Sequence, residues 1–349
     1  MHDLAARFDS HPLLGPRDVA PSRPGLRVIC VLNPGAFTFQ HKTWLALRVA
    51  EGIPSTDSMV SAIVLDPSAV DGINRLEVRT DDPALQSGDP RGFRYQGRAY
   101  LTTLSHLRLA SSTDGVRFEV TPRPSFEGLG PLESFGVEDC RVTLLDGRFY
   151  LTYTAVSSNG FGVGLASTVD WHTYERHGMV LAPPNKDCVL FPEQVGGRYV
   201  MLHRPVADDL GGKYMWTAWS PDLVHWGEHQ CILRTRSGMW DSAKIGAGPP
   251  PFRIPEGWLE IYHGADENDR YCLGAVLLAA DDPTRVLGRS GAPIMQPLAD
   301  YERGGFYGNV VFATGATVRD DQLTLYYGAA DTIVCGATFS IRSIVGGLE

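Results

Sequence analysis

One unit of sequence recurs along the 349-residue chain at intervals of about 50 residues. Each copy contains an apolar strand, a turn, an aromatic-rich strand and a further strand. The turns fall at Gly97, Gly147, Gly197, Gly257 and about Asp321. A repeat of this length, with three or four strands per unit, is typical of the blades of a β-propeller.

Between the turns, aromatic and β-branched residues alternate with polar ones, which is the pattern of strands joined by hairpins. Only short helical turns are expected, at Ala5–Phe8 and Pro297–Arg303. Three strand-like segments precede the first turn: Val28–Leu32, Trp44–Val49 and Val60–Leu65. They either form a blade or close the ring with the last strands, which leaves five or six blades open. The sequence predicts an all-β propeller in a single domain over residues 1–349, with an N-terminal extension over residues 1–27.

The composition excludes several kinds of partner. With 31 Lys and Arg against 40 Asp and Glu, the chain has a formal charge of −9, which argues against a nucleic-acid partner. Its longest apolar runs, such as Val276–Ala280, are too short to span a membrane, and residues 1–28 do not resemble a signal peptide. The 6 cysteines lie far apart without a Cys-x-x-Cys pair. We expect buried thiols in a reducing compartment, hence a cytoplasmic protein without a zinc site.

Four side chains from separate units suggest one chemistry. Asp139 is a candidate general acid on an inner strand. Lys186, Arg204 and His263 together are candidates for an anion site. One acid beside an anion pocket suits phosphorolysis of a glycoside, because phosphate is already an anionic nucleophile that cations can hold in line with the anomeric carbon. An inverting hydrolase needs a second carboxylate to activate water.

Seven motifs in order along the chain carry a family resemblance: Gly136-Val-Glu-Asp-Cys-Arg-Val-Thr, Asn185-Lys-Asp-Cys-Val-Leu-Phe-Pro, His203-Arg-Pro, Ser220-Pro-Asp-Leu-Val-His-Trp, Ile245-Gly-Ala-Gly-Pro-Pro, Gly257-Trp-Leu-Glu-Ile-Tyr-His-Gly and Tyr326-Tyr-Gly-Ala-Ala-Asp. From Asn33 to about Ala337, the chain resembles glycoside hydrolase family 130, the inverting β-mannoside phosphorylases and their relatives. The resemblance implies a five-bladed β-propeller, inorganic phosphate as co-substrate and no metal or organic cofactor. Members often form oligomers, so a homo-oligomer is expected, although the sequence identifies no interface.

The resemblance also implies roles for individual residues. Asp139 corresponds to the catalytic acid, whose proton is thought to pass through the 3-hydroxyl of the mannosyl unit. The residues that correspond to the phosphate site are Lys186, Arg204 and His263. The candidate substrate-binding residues are Asn33, Arg48 and Asp331, as ligands of the mannose in the −1 subsite, together with Arg141 and Tyr327. Cys140 stands where the family usually has Pro, which is expected to alter local backbone stiffness but not the acid.

The expected reaction is reversible, inverting phosphorolysis of terminal β-mannosides to α-mannose 1-phosphate. Similarity around Tyr153-Thr-Ala-Val-Ser and Ala329-Ala-Asp-Thr favours β-1,2-linked mannobiose and mannooligosaccharides. The alternatives are a β-1,4-mannosyl-glucose or β-1,4-mannooligosaccharide phosphorylase, a β-mannoside hydrolase, a GDP-mannose-dependent β-1,2-mannosyltransferase and a sugar-binding propeller without activity. Loops over residues 205–214 and 265–270 are candidates for the acceptor side.

Overall fold

The structure is a computed structural model that describes residues 3–54, 56–88, 90–207 and 210–349, apart from the side chain of residue 87. Strands account for 54% of the chain and helices for 4%, which confirms the all-β prediction. Neither of the helices that are described is long and apolar enough to cross a bilayer.

In chain order the strands are β1 (Ala6–Arg7), β2 (Arg27–Phe39), β3 (Lys42–Gly52), β4 (Met59–Leu65), β5 (Ile73–Arg79), β6 (Leu85–Ser87), β7 (Gly92–Tyr95), β8 (Arg98–Leu101), β9 (Leu104–Ser112), β10 (Glu119–Val120), β11 (Val137–Leu145), β12 (Arg148–Ser157), β13 (Gly160–Thr168), β14 (Glu175–Leu181), β15 (Asn185–Leu190), β16 (Tyr199–Pro205), β17 (Met215–Ser220), β18 (Gly227–Leu233), β19 (Lys244–Ala247), β20 (Phe252–Ile254), β21 (Gly257–Ala265), β22 (Tyr271–Leu278), β23 (Val286–Arg289), β24 (Val311–Arg319), β25 (Gln322–Ala329) and β26 (Ile333–Ser340). The helices are α1 (Asp300–Arg303) and α2 (Ile341–Val345), with 3₁₀ turns at Pro16–Asp18 and Pro131–Glu133.

Most strands belong to five antiparallel sheets. The first sheet has the order β2-β3-β9-β10, the second β11-β12-β13-β14 and the third β15-β16-β17-β18. The fourth has the order β19-β21-β22-β23, with β20 also on β21, and the fifth β24-β25-β26-β1. Each is an open ladder in the part of the chain that is described. The hairpin β4-β5 and the small sheet β6-β7-β8 lie in an inserted segment, residues 53–103, between β3 and β9.

The N-terminal residues join the fifth sheet, because Ala6 and Arg7 pair with Thr338 and Ala337 of β26. The predicted helical turn at Ala5–Phe8 is therefore wrong: an extended strand here satisfies backbone groups at the open edge of β26. The short helical turn predicted over Pro297–Arg303 is confirmed by α1.

Four of the five predicted turns connect strands of the five main sheets. The first predicted turn, at Gly97, does not. In each of the four sheets concerned, the second long strand begins within two residues of its predicted turn, which is Gly147, Gly197, Gly257 or Asp321. Gly97 instead joins β7 to β8 in the inserted segment. The matching turn of the first sheet is Gln40-His41, where both residues have positive φ (49° and 61°), as a two-residue type I′ hairpin requires.

Hydrophobic clusters lie between neighbouring sheets. One cluster joins the first sheet to the second through Phe37 and Phe149, and another joins the second to the third through Leu165 and Met201. A third joins the third sheet to the fourth, a fourth joins the fourth to the fifth, and a fifth joins the fifth back to the first. Each sheet therefore packs on two others, in cyclic order. Five of the six cysteines are buried within this packing and all six are free, as predicted.

Candidate active site

The first strands of three sheets each carry a β-bulge. In β2, β11 and β15 the ladder shifts register, and one residue inside a shift of each strand has a positive φ: 43° at Asn33, 49° at Asp139 and 52° at Asp187. Asn and Asp adopt this left-handed conformation more readily than most residues. A bulge re-aims a side chain out of the regular alternation. Three polar side chains from different sheets are thereby directed towards the region where the first strands meet.

A cavity of about 330 Å³ lies in this region, within the size range of small-ligand sites. Seven of the nine predicted site residues line it: Asn33, Arg48, Asp139, Lys186, Arg204, His263 and Asp331. They come from four sheets and from the turn between β25 and β26. The fold thus gathers residues that lie up to about 300 positions apart in the sequence.

Asp139 is held on one side of the cavity by two donors. Asn33 Nδ2 donates to its Oδ1 at 2.8 Å, and Arg48 Nη1 donates to the same oxygen at 3.0 Å. Arg48 Nη2 also donates to Glu138 Oε1 at 2.7 Å. Within the described residues Asp139 Oδ2 has no hydrogen bond, so this oxygen is left for a ligand in the cavity.

The two aspartates of the cavity differ in pKa. Burial would raise the pKa of Asp139, but Arg48, Arg141 and Lys186 outweigh burial and hold it below its ordinary value. Burial raises the pKa of Asp331 to about 6, and the charge of Asp139 adds to that increase. In the empty site the proton therefore resides more readily on Asp331 than on Asp139.

Asp187 lies at the centre of a second, buried cluster of charges. Arg204 Nε donates to Asp187 Oδ2 at 2.7 Å, and Arg141 Nη2 lies 3.4 Å from the other oxygen. His263 Nε2 lies 3.3 Å from Oδ2, without the alignment of a hydrogen bond. Although burial opposes it, the charges of Arg204 and Arg141 and the adjacent His263 ring keep the pKa of Asp187 well below its ordinary value. This carboxylate orients the cationic wall of the cavity and remains ionised.

Lys186 and Arg204 stand directly opposite each other across the β15–β16 ladder. Like charges at such positions repel each other. Burial lowers the pKa of Lys186, and the neighbouring Arg204 lowers it further. Within the described residues the Lys186 ammonium has no hydrogen bond, and its Nζ lies 5.2 Å from the centre of the Phe161 ring. Two cations that face each other in one cavity leave a place for an anion.

His263 contributes differently from the sequence-based expectation of a cation. Burial lowers its pKa more than Asp187 raises it. Both ring nitrogens are buried without a hydrogen bond. At neutral pH we therefore expect His263 to be uncharged and to offer an N–H donor to a ligand.

Two predicted substrate-binding residues lie outside the cavity lining. Arg141, 1% exposed, donates from Nη1 to the backbone oxygen of Asp139 at 2.8 Å and from Nε to that of Gly248 at 3.2 Å. It therefore supports the bulge that carries Asp139. Tyr327 is fully buried, and its hydroxyl donates to Glu302 Oε1 at 2.8 Å. Direct substrate binding by these two residues stays a prediction, and both side chains are hydrogen-bonded in the interior.

Several lining residues were missed by the sequence reasoning. Among the described residues, part of the lining comes from the inserted segment and the loop before β24, namely Arg91, Leu101, Thr103, Phe306 and Tyr307. The predicted loops 205–214 and 265–270 contribute no lining residue among those described, and residues 208 and 209 lie outside the description. Asp269 lies at the rim, where it accepts from the Tyr307 hydroxyl at 2.9 Å.

Asp187 was also missed, although a signal for it exists. Asp-Cys occurs at 139–140 and again at 187–188, at the bulge of two successive sheets. Aligning the repeats on their bulges would have paired the two aspartates and marked both as site residues.

The Asp187 cluster leads to a prediction about stability. Asp187→Asn removes the counter-charge of Arg204 and Arg141, and we expect a loss of about 3–5 kcal/mol in the free energy of unfolding. Because the folded-state pKa lies below the unfolded one, the contribution is complete above about pH 4 and is lost as the pH falls through the folded value. Thermal unfolding midpoints at pH 7 and at a series of pH values below about 3.5 measure both effects.

The matched control is Asp281→Asn, which removes an exposed pair with Arg285. Its midpoint should equal that of the parent protein, since exposed ion pairs contribute little. A midpoint of Asp187→Asn equal to that of the control at pH 7 would contradict the role given to Asp187.

Comparison with known proteins identifies the class. The sequence model of glycoside hydrolase family 130, described as β-1,4-mannooligosaccharide phosphorylase, matches residues 85–349. The chain therefore belongs to glycoside hydrolase family 130, and it is an enzyme of the glycoside phosphorylase class.

Individual relatives give a more specific resemblance than the family model does. A β-1,2-mannobiose phosphorylase from Listeria innocua is 41% identical over 350 residues, which cover 98% of each chain. The solved structure of that phosphorylase with β-1,2-mannobiose matches with a TM-score of 0.95 and covers 99% of both chains at 40% identity. A 1,2-β-oligomannan phosphorylase from a Thermoanaerobacter species is 40% identical over 244 residues, 69% of this chain and 80% of the relative.

Proposed function

We propose that the enzyme catalyses reversible, inverting phosphorolysis of terminal β-1,2-mannosides, from mannobiose to mannooligosaccharides, and yields α-mannose 1-phosphate. The observation that carries this proposal is the cross-strand pairing of Lys186 and Arg204 in the same cavity as Asp139. Phosphate is the anion that relieves the repulsion between the two cations and also serves as the nucleophile.

In this reaction, phosphate binds to Lys186 and Arg204 and accepts an N–H from His263. Its oxygen attacks the anomeric carbon of the terminal mannose, and Asp139 supplies the proton of the leaving sugar, through the 3-hydroxyl of the mannose in the manner that the family resemblance implies. Asn33, Arg48 and Asp331 hold the sugar hydroxyls. No catalytic base is required, since the nucleophile arrives ionised. Holding the phosphate in line with the anomeric carbon supplies the rest of the rate enhancement.

The linkage rests on the relatives. Two phosphorylases that are 40% and 41% identical to this chain carry names that specify β-1,2-linked mannosides. The description of the family model specifies a β-1,4 linkage, so the product linkage needs a direct test.

We further propose a single-domain, five-bladed β-propeller in which the five sheets are the blades. The cyclic order of the hydrophobic clusters supports this arrangement, as does the contact of β2 with both β11 and β24. The pairing of β1 with β26 would tie the two ends of the chain together. Residues 3–27 would then be part of the last blade and its support.

The remaining proposals concern partners and location. Inorganic phosphate is the co-substrate, and no step of the proposed reaction calls for a metal or an organic cofactor. The family resemblance leads us to propose a homo-oligomer. Six unpaired thiols are compatible with a reducing cytoplasm.

The proposal is tested by incubating the purified enzyme with β-1,2-mannobiose, with and without phosphate. We expect mannose and α-mannose 1-phosphate in equal amounts, and no cleavage when phosphate is replaced by chloride at the same ionic strength. In reverse, α-mannose 1-phosphate should release phosphate in the presence of mannose, with glucose and N-acetylglucosamine as comparison acceptors. Cleavage at an equal rate in phosphate-free buffer would establish a hydrolase, and a β-1,4-linked product would overturn the linkage.

A further inference from the structure

A second cavity of about 480 Å³ adjoins the catalytic one. It lies between the inserted segment 53–103 and the start of β2, and its lining includes Arg27, Ser61 and Phe93. Thr103 and Phe306 line both cavities. The two spaces are therefore neighbours that meet at this pair of side chains.

The second cavity carries one buried hydroxyl that the described residues leave unpaired. Ser61 is 6% exposed, and its hydroxyl is buried without a hydrogen-bond partner. Such a group costs free energy unless a ligand or water pairs with it. Phe93 and Phe306 add aromatic surface to the lining of the same cavity. A cavity with an unpaired hydroxyl and aromatic rings is suited to a sugar, which presents hydroxyls at its edges and C–H groups on its faces.

The charge of the lining indicates a neutral ligand. Among the described lining residues, Arg27 is the one charged side chain, and there is no carboxylate. The phosphate-binding wall of the catalytic cavity, in contrast, combines Lys186 with Arg204. A phosphorylated or nucleotide ligand would find a single cation in the second cavity, whereas a sugar chain needs none.

The position fits the leaving side of the reaction. The cations belong to β15 and β16 of the third sheet, while the second cavity opens beside the first sheet and its insertion. In an inverting displacement the nucleophile and the leaving group occupy opposite sides of the anomeric carbon. A leaving chain that departs from the cationic wall is therefore directed towards Thr103 and Phe306.

We infer that the second cavity binds the sugar units of a β-mannooligosaccharide that lie beyond the one next to the cleaved bond. The chain would pass between Thr103 and Phe306 and place a hydroxyl against Ser61. This inference rests on the proposed function, because it assumes a β-mannoside in the catalytic cavity.

The test compares phosphorolysis of β-1,2-linked di-, tri- and tetrasaccharides. Thr80→Trp introduces bulk at an exposed lining position that the fold tolerates, and Ser61→Met fills the interior of the cavity. For both variants we expect kcat/KM for the tetrasaccharide, relative to the disaccharide, to fall about fivefold or more, the equivalent of one lost hydrogen bond. The value for the disaccharide itself should stay within about twofold. Thr113→Trp, at an exposed turn after β9, is the matched control.

The outcomes separate the two proposals. A parent enzyme that cleaves none of the three sugars overturns the proposed function. Variants whose tetrasaccharide-to-disaccharide ratio equals that of Thr113→Trp overturn the assignment of the second cavity and leave the proposed function standing. A parent enzyme that cleaves the disaccharide alone also overturns that assignment, and it restricts the proposed function to mannobiose.

Discussion

Replacing Asp139 by Asn is expected to lower turnover by about 10²- to 10⁴-fold in both reaction directions, the contribution typical of a positioned general acid. The amide oxygen can still accept from Asn33 Nδ2 and Arg48 Nη1, as Asp139 Oδ1 does. The fold and the binding of mannobiose should therefore be retained while the proton is lost. Steady-state rates of phosphorolysis and synthesis, with calorimetric binding of the sugar, measure the two effects separately.

Asp331→Asn is the matched comparison, because Asp331 is the other aspartate that lines the cavity. If Asp331 holds sugar hydroxyls, its replacement should raise KM for the mannoside more than it lowers kcat. Its pKa near 6 makes Asp331 the more readily protonated carboxyl of the empty site, so it is the obvious rival for the role of acid. Loss of kcat in Asp331→Asn, with turnover retained in Asp139→Asn, would reverse the assignment.

The lowered pKa of Asp139 is compatible with an acid whose strength depends on the second substrate. In the phosphate-free cavity, Arg48, Arg141 and Lys186 stabilise the carboxylate. A phosphate bound at Lys186 brings negative charge close to Asp139 and offsets part of that field. We expect the proton to be held more tightly on Asp139 once phosphate is bound, so that Asp139 is protonated when the nucleophile is present.

The repeat predicted most of the fold, since turns with Gly or Asp recur where the strands of later sheets begin. The turn of the first sheet was not predicted, because Gln40-His41 contains neither Gly nor Asn to indicate positive φ. The insertion 53–103 then placed Gly97 50 residues before Gly147, so that a hairpin of the insertion imitated the repeat. Spacing alone cannot separate a repeated unit from an inserted one of similar length.

The site was predictable where chemistry and motif coincide, and not where tertiary packing decides. Asp139, Lys186 and Arg204 line the cavity because bulges and strand ends direct them there. Tyr327 has the residue type and strand position expected of a sugar ligand, but its hydroxyl donates to Glu302 in the interior. The second cavity has no counterpart in the sequence, because it arises from how an insertion folds against the first sheet.

Arg204→Ala is expected to raise KM for phosphate by about 10- to 100-fold, the effect of losing a charge-assisted hydrogen bond to an anion. Binding of mannobiose without phosphate should change little, because the proposed sugar ligands lie on β2, β3 and the turn after β25. Initial rates over a range of phosphate concentrations, together with calorimetric binding of the sugar, measure both quantities.

Because Arg204 is buried against Asp187, its removal can also weaken the fold, so Lys186→Met provides an independent test. Lys186 has no hydrogen bond within the described residues, and its loss should affect phosphate use without lowering the thermal midpoint. If the phosphate dependence of both variants equals that of the parent while mannobiose binding is lost, the cations belong to the sugar site. Phosphorolysis would then need a different anion site, because Lys186 and Arg204 would bind the sugar and not the phosphate.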